Sequence, residues 1–226
     1  MTTRLLAVVA AGLILLSACG GGSDDSKSDA TASATPTTPS ATASAPPIDP
    51  EQIACKLVTP AERAELAGGA VDEIIAASGT AGSSQCRWQS AVALIQVTTL
   101  PAKEWAKSLP DVVKQLESSS DVGSDAQQKD LAAAKKLLEG AGSFTNAEAC
   151  DAFVTLAELG GGKKGQTTTV SSVPITETEQ GISAQTCSGG ELTSIIYSIP
   201  GLKQSTEVDQ TVTKILASAQ KRATKN

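Results

Sequence analysis

The sequence has no histidine in its 226 residues, only five aromatic side chains, and one methionine, which is the initiator. Without histidine there is no Ser-His or Cys-His catalytic couple, no imidazole metal ligand and no ordinary pH switch near neutrality. So few aromatics leave little material for stacking on sugars or nucleobases, and a net charge of −6 argues against a nucleic-acid partner. The composition therefore favours a binding protein over an enzyme.

The first 18 residues have the pattern of a secretory signal peptide. Arg4 is the only charge ahead of a run from Leu5 to Leu16, which is apolar apart from Gly12. Such a run is too short to span a bilayer comfortably, but it has the length of the apolar region of a signal peptide. We therefore expect residues 1–18 to direct export.

The run ends in Leu16-Ser17-Ala18-Cys19, which resembles the bacterial lipobox. The resemblance implies that Cys19 receives a diacylglycerol, that the chain is cut just before it, and that the new amine can be acylated with a fatty acid such as palmitate. Two acyl chains are what stable membrane anchoring requires. The alternative is ordinary signal cleavage that leaves Cys19 as a spare thiol.

A tether is predicted for residues 19–49. The stretch 20–47 contains no Val, Ile, Leu or aromatic residue, so it cannot bury enough apolar surface to offset the entropy of ordering. A flexible chain of this length has an r.m.s. reach of about 30 Å. We expect it to hold the folded part away from the membrane, and its Ser and Thr residues are compatible with O-glycosylation.

The rest of the chain contains two similar halves. The segment 53–62 recurs as 148–158 with one residue inserted, and each copy is followed by glycines, a β-branched stretch and a second cysteine. Landmarks that recur in one order at nearly constant spacing predict an internal duplication. Chance similarity in an Ala- and Thr-rich sequence is the alternative.

Each half is predicted to read α-β-β-β-α, over residues 50–123 and 143–222, with a connecting helix in 124–142. Capping signals begin helices at Asp49, Thr59, Ser124 and Thr145. Strands are predicted at 71–76, 85–90, 92–100, 167–175, 183–188 and 191–199, and helices at 102–118, with a break near Pro110, and 205–220.

These elements predict an α+β fold in which about six strands form one antiparallel sheet with helices packed on one face. A three-stranded half with so few aromatics would be marginally stable alone, which favours one domain. Two small sheets that face each other are the alternative.

Four cysteines remain when Cys19 is set aside, and an even number in an exported chain indicates disulfides. Bridges Cys55–Cys86 and Cys150–Cys187 would give both halves the same link between the opening helix and the middle strand. The sequence has no C-x-x-C spacing to support a redox or metal pair. We therefore predict two structural disulfides and no metal site.

The other candidate sites match no catalytic pattern. The loop Gly160–Gly165 looks faintly like a phosphate loop, but its glycines and lysines stand in the wrong order, and we expect a helix end followed by a basic turn. Trp88 and Trp105 are expected in the core, and Arg87 on the alternate face of a strand. The acidic pairs are Asp72 with Glu73 and Glu177 with Glu179, and nothing marks them as glycosidase carboxylates. No catalytic residue and no cofactor is predicted.

The opening Cys55-Lys56-Leu57-Val58-Thr59-Pro60-Ala61-Glu62, followed by Cys86-Arg87-Trp88, resembles an actinobacterial cell-envelope lipoprotein family known only as a domain of unknown function. The resemblance covers the signal peptide and residues 53–100. It implies a location in the cell envelope and carries no assigned activity or site residues.

We therefore expect a non-enzymatic, lipid-anchored module on the outer face of the cytoplasmic membrane, which binds an unknown envelope protein or ligand. One alternative is a carrier that holds a lipid or another small apolar ligand in a cavity between sheet and helices. A carboxylate-dependent hydrolase of the envelope is a second alternative.

Overall fold

A computed structural model describes residues 48–79, 82–118, 124–176 and 178–225. The predicted signal peptide, Cys19 and nearly all of the tether lie outside these ranges. The described residues form an α+β fold with six α-helices, one 3-10 turn and six strands. The helices are α1 Ile53–Leu57, α2 Pro60–Ala67, α3 Ala102–Ser118, α4 Asp125–Leu137, α5 Asn146–Leu159 and α6 Thr206–Ala223. The strands are β1 Glu73–Ser78, β2 Ser84–Gln89, β3 Leu94–Pro101, β4 Thr168–Pro174, β5 Gln180–Ser188 and β6 Glu191–Ser198.

The strands form one antiparallel sheet in the order β1-β2-β3-β6-β5-β4. Each half of the chain supplies a three-stranded meander, and the two meanders join where β3 pairs with β6, with Val97 opposite Ile195. The prediction of one six-stranded antiparallel sheet is confirmed, and the alternative of two facing sheets is wrong.

Most predicted elements agree with the structure, and the exceptions have local causes. Capping boxes start α2 at Thr59, α4 at Ser124 and α5 at Thr145, as predicted. Asp49 does not cap a helix: its carboxylate accepts hydrogen bonds in a turn from the Glu51 amide and the Gln52 side chain, and α1 begins only at Ile53. The predicted break near Pro110 is also wrong, because α3 continues through it.

The first face of the sheet packs against α1, α2 and α6. Side chains alternate between the two faces of a strand. Residues paired across neighbouring strands therefore share a face, and a row of four such residues lies on this one: Cys86, Val97, Ile195 and Ala184. All four are buried, in one cluster with apolar residues of α1 and α6. Trp88 belongs to the same cluster, as predicted.

The second face packs against α3 and α5, at one end of the sheet. Leu100, Leu192 and Cys187 oppose one another in the alternate positions of β3, β6 and β5. They form a second core with Trp105 of α3 and Phe153 of α5, whose ring centroids lie 5.6 Å apart. The helices therefore cover both faces, and the prediction that they pack on one face is wrong.

The alternation of apolar residues could not reveal this arrangement, because it shows which residues share a face but not which helix covers that face. On the first face the opening helices of the first half pack with α6, the closing helix of the second half. On the second face α3, the last helix of the first half, packs with α5, the first helix of the second half. Each layer is built from both halves of the chain.

Two disulfides attach a helix to each face. Cys55 of α1 is bonded to Cys86 of β2 on the first face, and Cys150 of α5 to Cys187 of β5 on the second. This connectivity is the one predicted from the repeat. The two bridges fix different helix layers because their strand cysteines, Cys86 and Cys187, lie on opposite faces of the sheet.

The tight turn between β5 and β6 lies between the two layers. Gly189 and Gly190 both have positive φ, at 61° and 83°, as a two-residue hairpin of the primed type requires. A Cβ on Gly189 would lie 2.9 Å from the side chain of Thr224, just beyond α6, and one on Gly190 would lie 3.0 Å from Asn146 of α5. The turn therefore needs glycine both for its conformation and for its space.

An ion pair between Glu62 and Arg222 joins α2 to α6. The Glu62 carboxylate accepts hydrogen bonds from the backbone and side chain of Thr59 and from both terminal nitrogens of Arg222, at 2.8 and 2.9 Å. Burial raises the pKa of Glu62, but the hydrogen bonds from Arg222 and Thr59 outweigh burial and hold the pKa below its usual value. The start of α2 is thereby fixed to the end of α6.

Candidate functional site

The second face of the sheet carries mostly polar side chains beyond the part that α3 and α5 cover. The strand pairing arranges them in two rows across five strands, over a width of about 19 Å at the usual strand spacing. We define the arginine row as Arg87, Gln96, Ile196, Ser183 and Ser171. We define the threonine row as Gln85, Thr98, Ser194, Gln185 and Thr169.

The same strands that bury the apolar first face create these rows. In β3 the buried Ile95 and Val97 alternate with Gln96 and Thr98, and β6 buries Ile195 between Ser194 and Ile196. In the arginine and threonine rows Ile196 is the one apolar residue. In a sheet covered on both faces, apolar residues occupy successive positions of each strand and not only every second one. The polar residues of the second face therefore need a separate explanation.

Three buried polar atoms in the arginine row have no hydrogen-bond partner: Nε of Arg87, Nε2 of Gln96 and Oγ of Ser183. Ser183 is only 2% exposed, and its neighbour on β6 is Ile196, which offers no polar group. Leaving a polar atom buried and unpaired costs about 1–3 kcal/mol. Two of the three atoms are N–H donors, and the third is a hydroxyl oxygen, which can both donate and accept.

The hydroxyls of Thr98 and Ser194 in the threonine row are also buried and unpartnered, as are those of Thr99 and Thr193 on the first face. In both cases the two residues oppose each other on β3 and β6. Hydroxyls in this position can bond to each other after rotation about χ1. In the arginine row Ser183 likewise opposes the hydroxyl of Ser171 on β4, whereas Arg87 opposes Gln96 on β3.

Arg87 stands out among the arginines of the described residues. Arg63 is paired with Asp72 and Arg222 with Glu62, whereas Arg87 is half-buried and forms no ion pair with any described residue. It lines a groove of about 280 Å³ at the end of the sheet opposite α3 and α5. The groove is also lined by Leu94, Ser198, Ile175, Ile199 and Glu179.

A second groove, of about 560 Å³, lies beside α3 and α4. It is lined by both acids and lysines, and Lys135 is paired with Glu117 across it at 2.9 Å. Its charged groups thus partly neutralise one another, and none of its side-chain atoms is among the buried polar atoms that lack a partner. We therefore place the candidate site on the sheet and not in this groove.

The loop Gly160–Gly165 does not form a phosphate cradle, because the amides of all its residues except Lys164 donate within the chain. The Gly165 amide donates to the Glu158 carboxylate at 2.6 Å, and the Gly162 amide donates to the carbonyl of Ala157. Gly160 caps the end of α5, as the sequence predicted.

The acidic residues considered in the sequence have different surroundings. Asp72 is bound by Arg63, and Glu73 is exposed at the start of the edge strand β1. Glu179 lines the groove beside Arg87, and Glu177 lies outside the described residues. Trp105, like Trp88, lies in a core, as predicted.

Arg87 lies on the alternate face of its strand, as predicted, whereas Gln96 and Ser183 are not among the candidate residues predicted from the sequence. A signal was present: polar residues recur at every second position of strands whose other positions are apolar. That pattern is typical of a solvent-facing strand, so only the structure reveals that several of these groups are buried.

No family model matches the chain, and neither do curated proteins or solved structures. Within residues 48–225, apart from the undescribed gaps, no helix is long and apolar enough to cross a bilayer. The same residues hold no cluster of three or more Cys, Asp or Glu with the arrangement of a metal site.

Proposed function

We propose that this protein is a non-enzymatic module that binds a polar ligand on the second face of its sheet, while a lipid anchor at Cys19 holds it outside the cytoplasmic membrane. The binding part of the proposal depends on one observation: the arginine row contains three buried polar atoms without partners. A bound polar ligand would supply the missing hydrogen bonds and so offset the cost of burying these groups.

The polar rows favour this function over a carrier of lipid or another apolar ligand. An apolar ligand would leave Arg87, Gln96 and Ser183 unpaired and would lose further hydrogen bonds to water. The rows do not favour a hydrolase either, because Glu179 is the one acid among the described residues that line the groove beside Arg87. Glycoside hydrolysis requires two carboxyl groups across one bond.

The anchor is tested at Cys19 in the full-length protein, expressed in a bacterial host that processes lipoproteins. We expect the wild-type protein to incorporate labelled palmitate and to yield an N-terminal peptide whose mass includes a diacylglycerol. Cys19→Ala should abolish both signals, because it removes the thiol that accepts the lipid. The matched control Ser17→Ala keeps a small residue before the cleavage site and should still be labelled. An unmodified wild-type Cys19 would contradict the anchor.

The binding face is tested by the stability of Ser183→Ala. Since this hydroxyl is buried without a partner, its removal should raise the free energy of unfolding of the ligand-free protein by about 1 kcal/mol. Urea denaturation followed by tryptophan fluorescence measures the change. Ser218→Ala is the matched control: its exposed hydroxyl donates to the carbonyl of Lys214, so we expect a change within about 0.5 kcal/mol.

A stabilised Ser183→Ala variant is unusual, because most substitutions at buried positions destabilise a protein. Increased stability on removing a polar group is the behaviour of residues kept for function. A loss of stability comparable to that of other buried substitutions would show that the hydroxyl has a role within the folded chain, and it would contradict the proposed binding face.

A further inference from the structure

We propose that the ligand is a small polar molecule with one monoanionic oxygen-acid group, a carboxylate or a phosphodiester, which is bound by the guanidinium group of Arg87. This inference rests on the proposed binding face and names the chemistry of its ligand. Arg63 and Arg222, unlike Arg87, have guanidinium groups that already bind carboxylates of the chain.

Two donors without a partner lie at this end of the arginine row. Arg87 Nε and Gln96 Nε2 are both buried N–H donors without a partner, and the two residues oppose each other on β2 and β3. A guanidinium group presents its donors in a planar fork that matches two oxygens of a carboxylate or phosphate. One carboxylate or phosphodiester group in the groove can therefore accept hydrogen bonds from Arg87, while another acceptor of the same ligand reaches Gln96.

The groove beside Arg87 limits the size and charge of the ligand. Its volume of about 280 Å³ fits a small molecule or one end of a longer one. Glu179 lines the same groove and does not pair with Arg87, so its carboxylate would repel a second negative charge. A monoanion is favoured over a dianion for this reason.

The test is a titration of the full-length, isotope-labelled protein, solubilised in a maltoside detergent that carries no phosphate group. The probes are acetate, dimethyl phosphate and inorganic phosphate, and the readout is the chemical shift of the Arg87 Nε–H group and of the Gln96 backbone amide. We expect saturable shifts with acetate or dimethyl phosphate at millimolar concentrations. The stronger of the two identifies the ligand group as a carboxylate or a phosphodiester.

Arg87→Gln should weaken this binding at least about tenfold, because it removes the charge-assisted hydrogen bonds. The matched control Lys164→Gln removes the same charge from an exposed loop and should leave the dissociation constant unchanged within about twofold. Arg87→Lys keeps the charge without the planar fork and should bind with intermediate affinity. This variant supplies the comparison if Arg87→Gln does not fold.

Equal affinity of the wild-type and Arg87→Gln proteins would overturn the inference, and so would saturable binding of inorganic phosphate alone. Shifts that never saturate would overturn it as well. These failures are distinct from failure of the binding face: a stabilised Ser183→Ala variant together with no anion binding would keep a polar-ligand face and reject only the anionic group.

Discussion

Loss of the Cys150–Cys187 disulfide should lower the free energy of unfolding by about 4 kcal/mol. The two cysteines are 37 residues apart, and in the chain-entropy model a crosslink of this span restricts the unfolded chain by that amount. The bond also fixes α5 to the second face of the sheet. We expect the double variant Cys150→Ala, Cys187→Ala to show the loss as a lower urea midpoint, measured by tryptophan fluorescence.

The second disulfide supplies the comparison. Cys55 and Cys86 are 31 residues apart, so their double alanine variant should lose nearly the same free energy. Trp88 lies in the first-face core and Trp105 in the second-face core, so tryptophan fluorescence reports on both layers. A loss below about 1 kcal/mol in either double variant would contradict a structural role for that bond.

Arg63→Leu should destabilise the protein by about 3 kcal/mol, although it replaces a charged residue by an apolar one at a buried site. Arg63 is 6% exposed and donates to the carbonyls of Val71 and Val58 at 2.7 and 3.1 Å. Its guanidinium carbon lies 4.8 Å from the centroid of the Trp88 ring. Leucine leaves both carbonyls buried without a donor, at about 1–3 kcal/mol each.

Urea denaturation measures this loss too, and two variants separate its causes. Lys56→Leu removes a charge from an exposed ion pair with Glu51 and should change stability by less than about 0.5 kcal/mol. Arg63→Lys keeps the charge but cannot reach both carbonyls and Asp72 in one geometry, so we expect an intermediate loss. If Arg63→Leu were as stable as the wild type, the buried hydrogen bonds would contribute nothing.

Local sequence signals were enough to predict the strands and most helix starts, and the internal repeat was enough to predict the disulfide pairs. The capping boxes at Thr59 and Thr145 depend on residues three positions apart, and each predicted disulfide follows from a repeated order of landmarks. Pro110 shows the limit of such signals. It lies inside α3, whose apolar side packs against α4 and α5, so tertiary packing outweighed the local cost of proline.

The candidate site was predictable only in its parts. The alternation in β2 and β3 places Arg87 and Gln96 opposite the apolar face, but these strands could have faced solvent, where neither residue would need a partner. Ser183 lies on β5, and its place in the same row depends on the pairing of β3 with β6, which joins the two halves. That long-range pairing, and the burial that follows from it, carry no local sequence signal.

The ion pair between Glu62 and Arg222 has a consequence for the order in which the chain folds. The two residues are 160 positions apart, and α6 supplies Val212, Ile215 and Leu216 to the core of the first face. A chain that emerges from its N-terminus leaves β2 and β3 without this cover until residues 206–223 have followed. The first-face layer is therefore completed only after all six strands of the sheet have been synthesised.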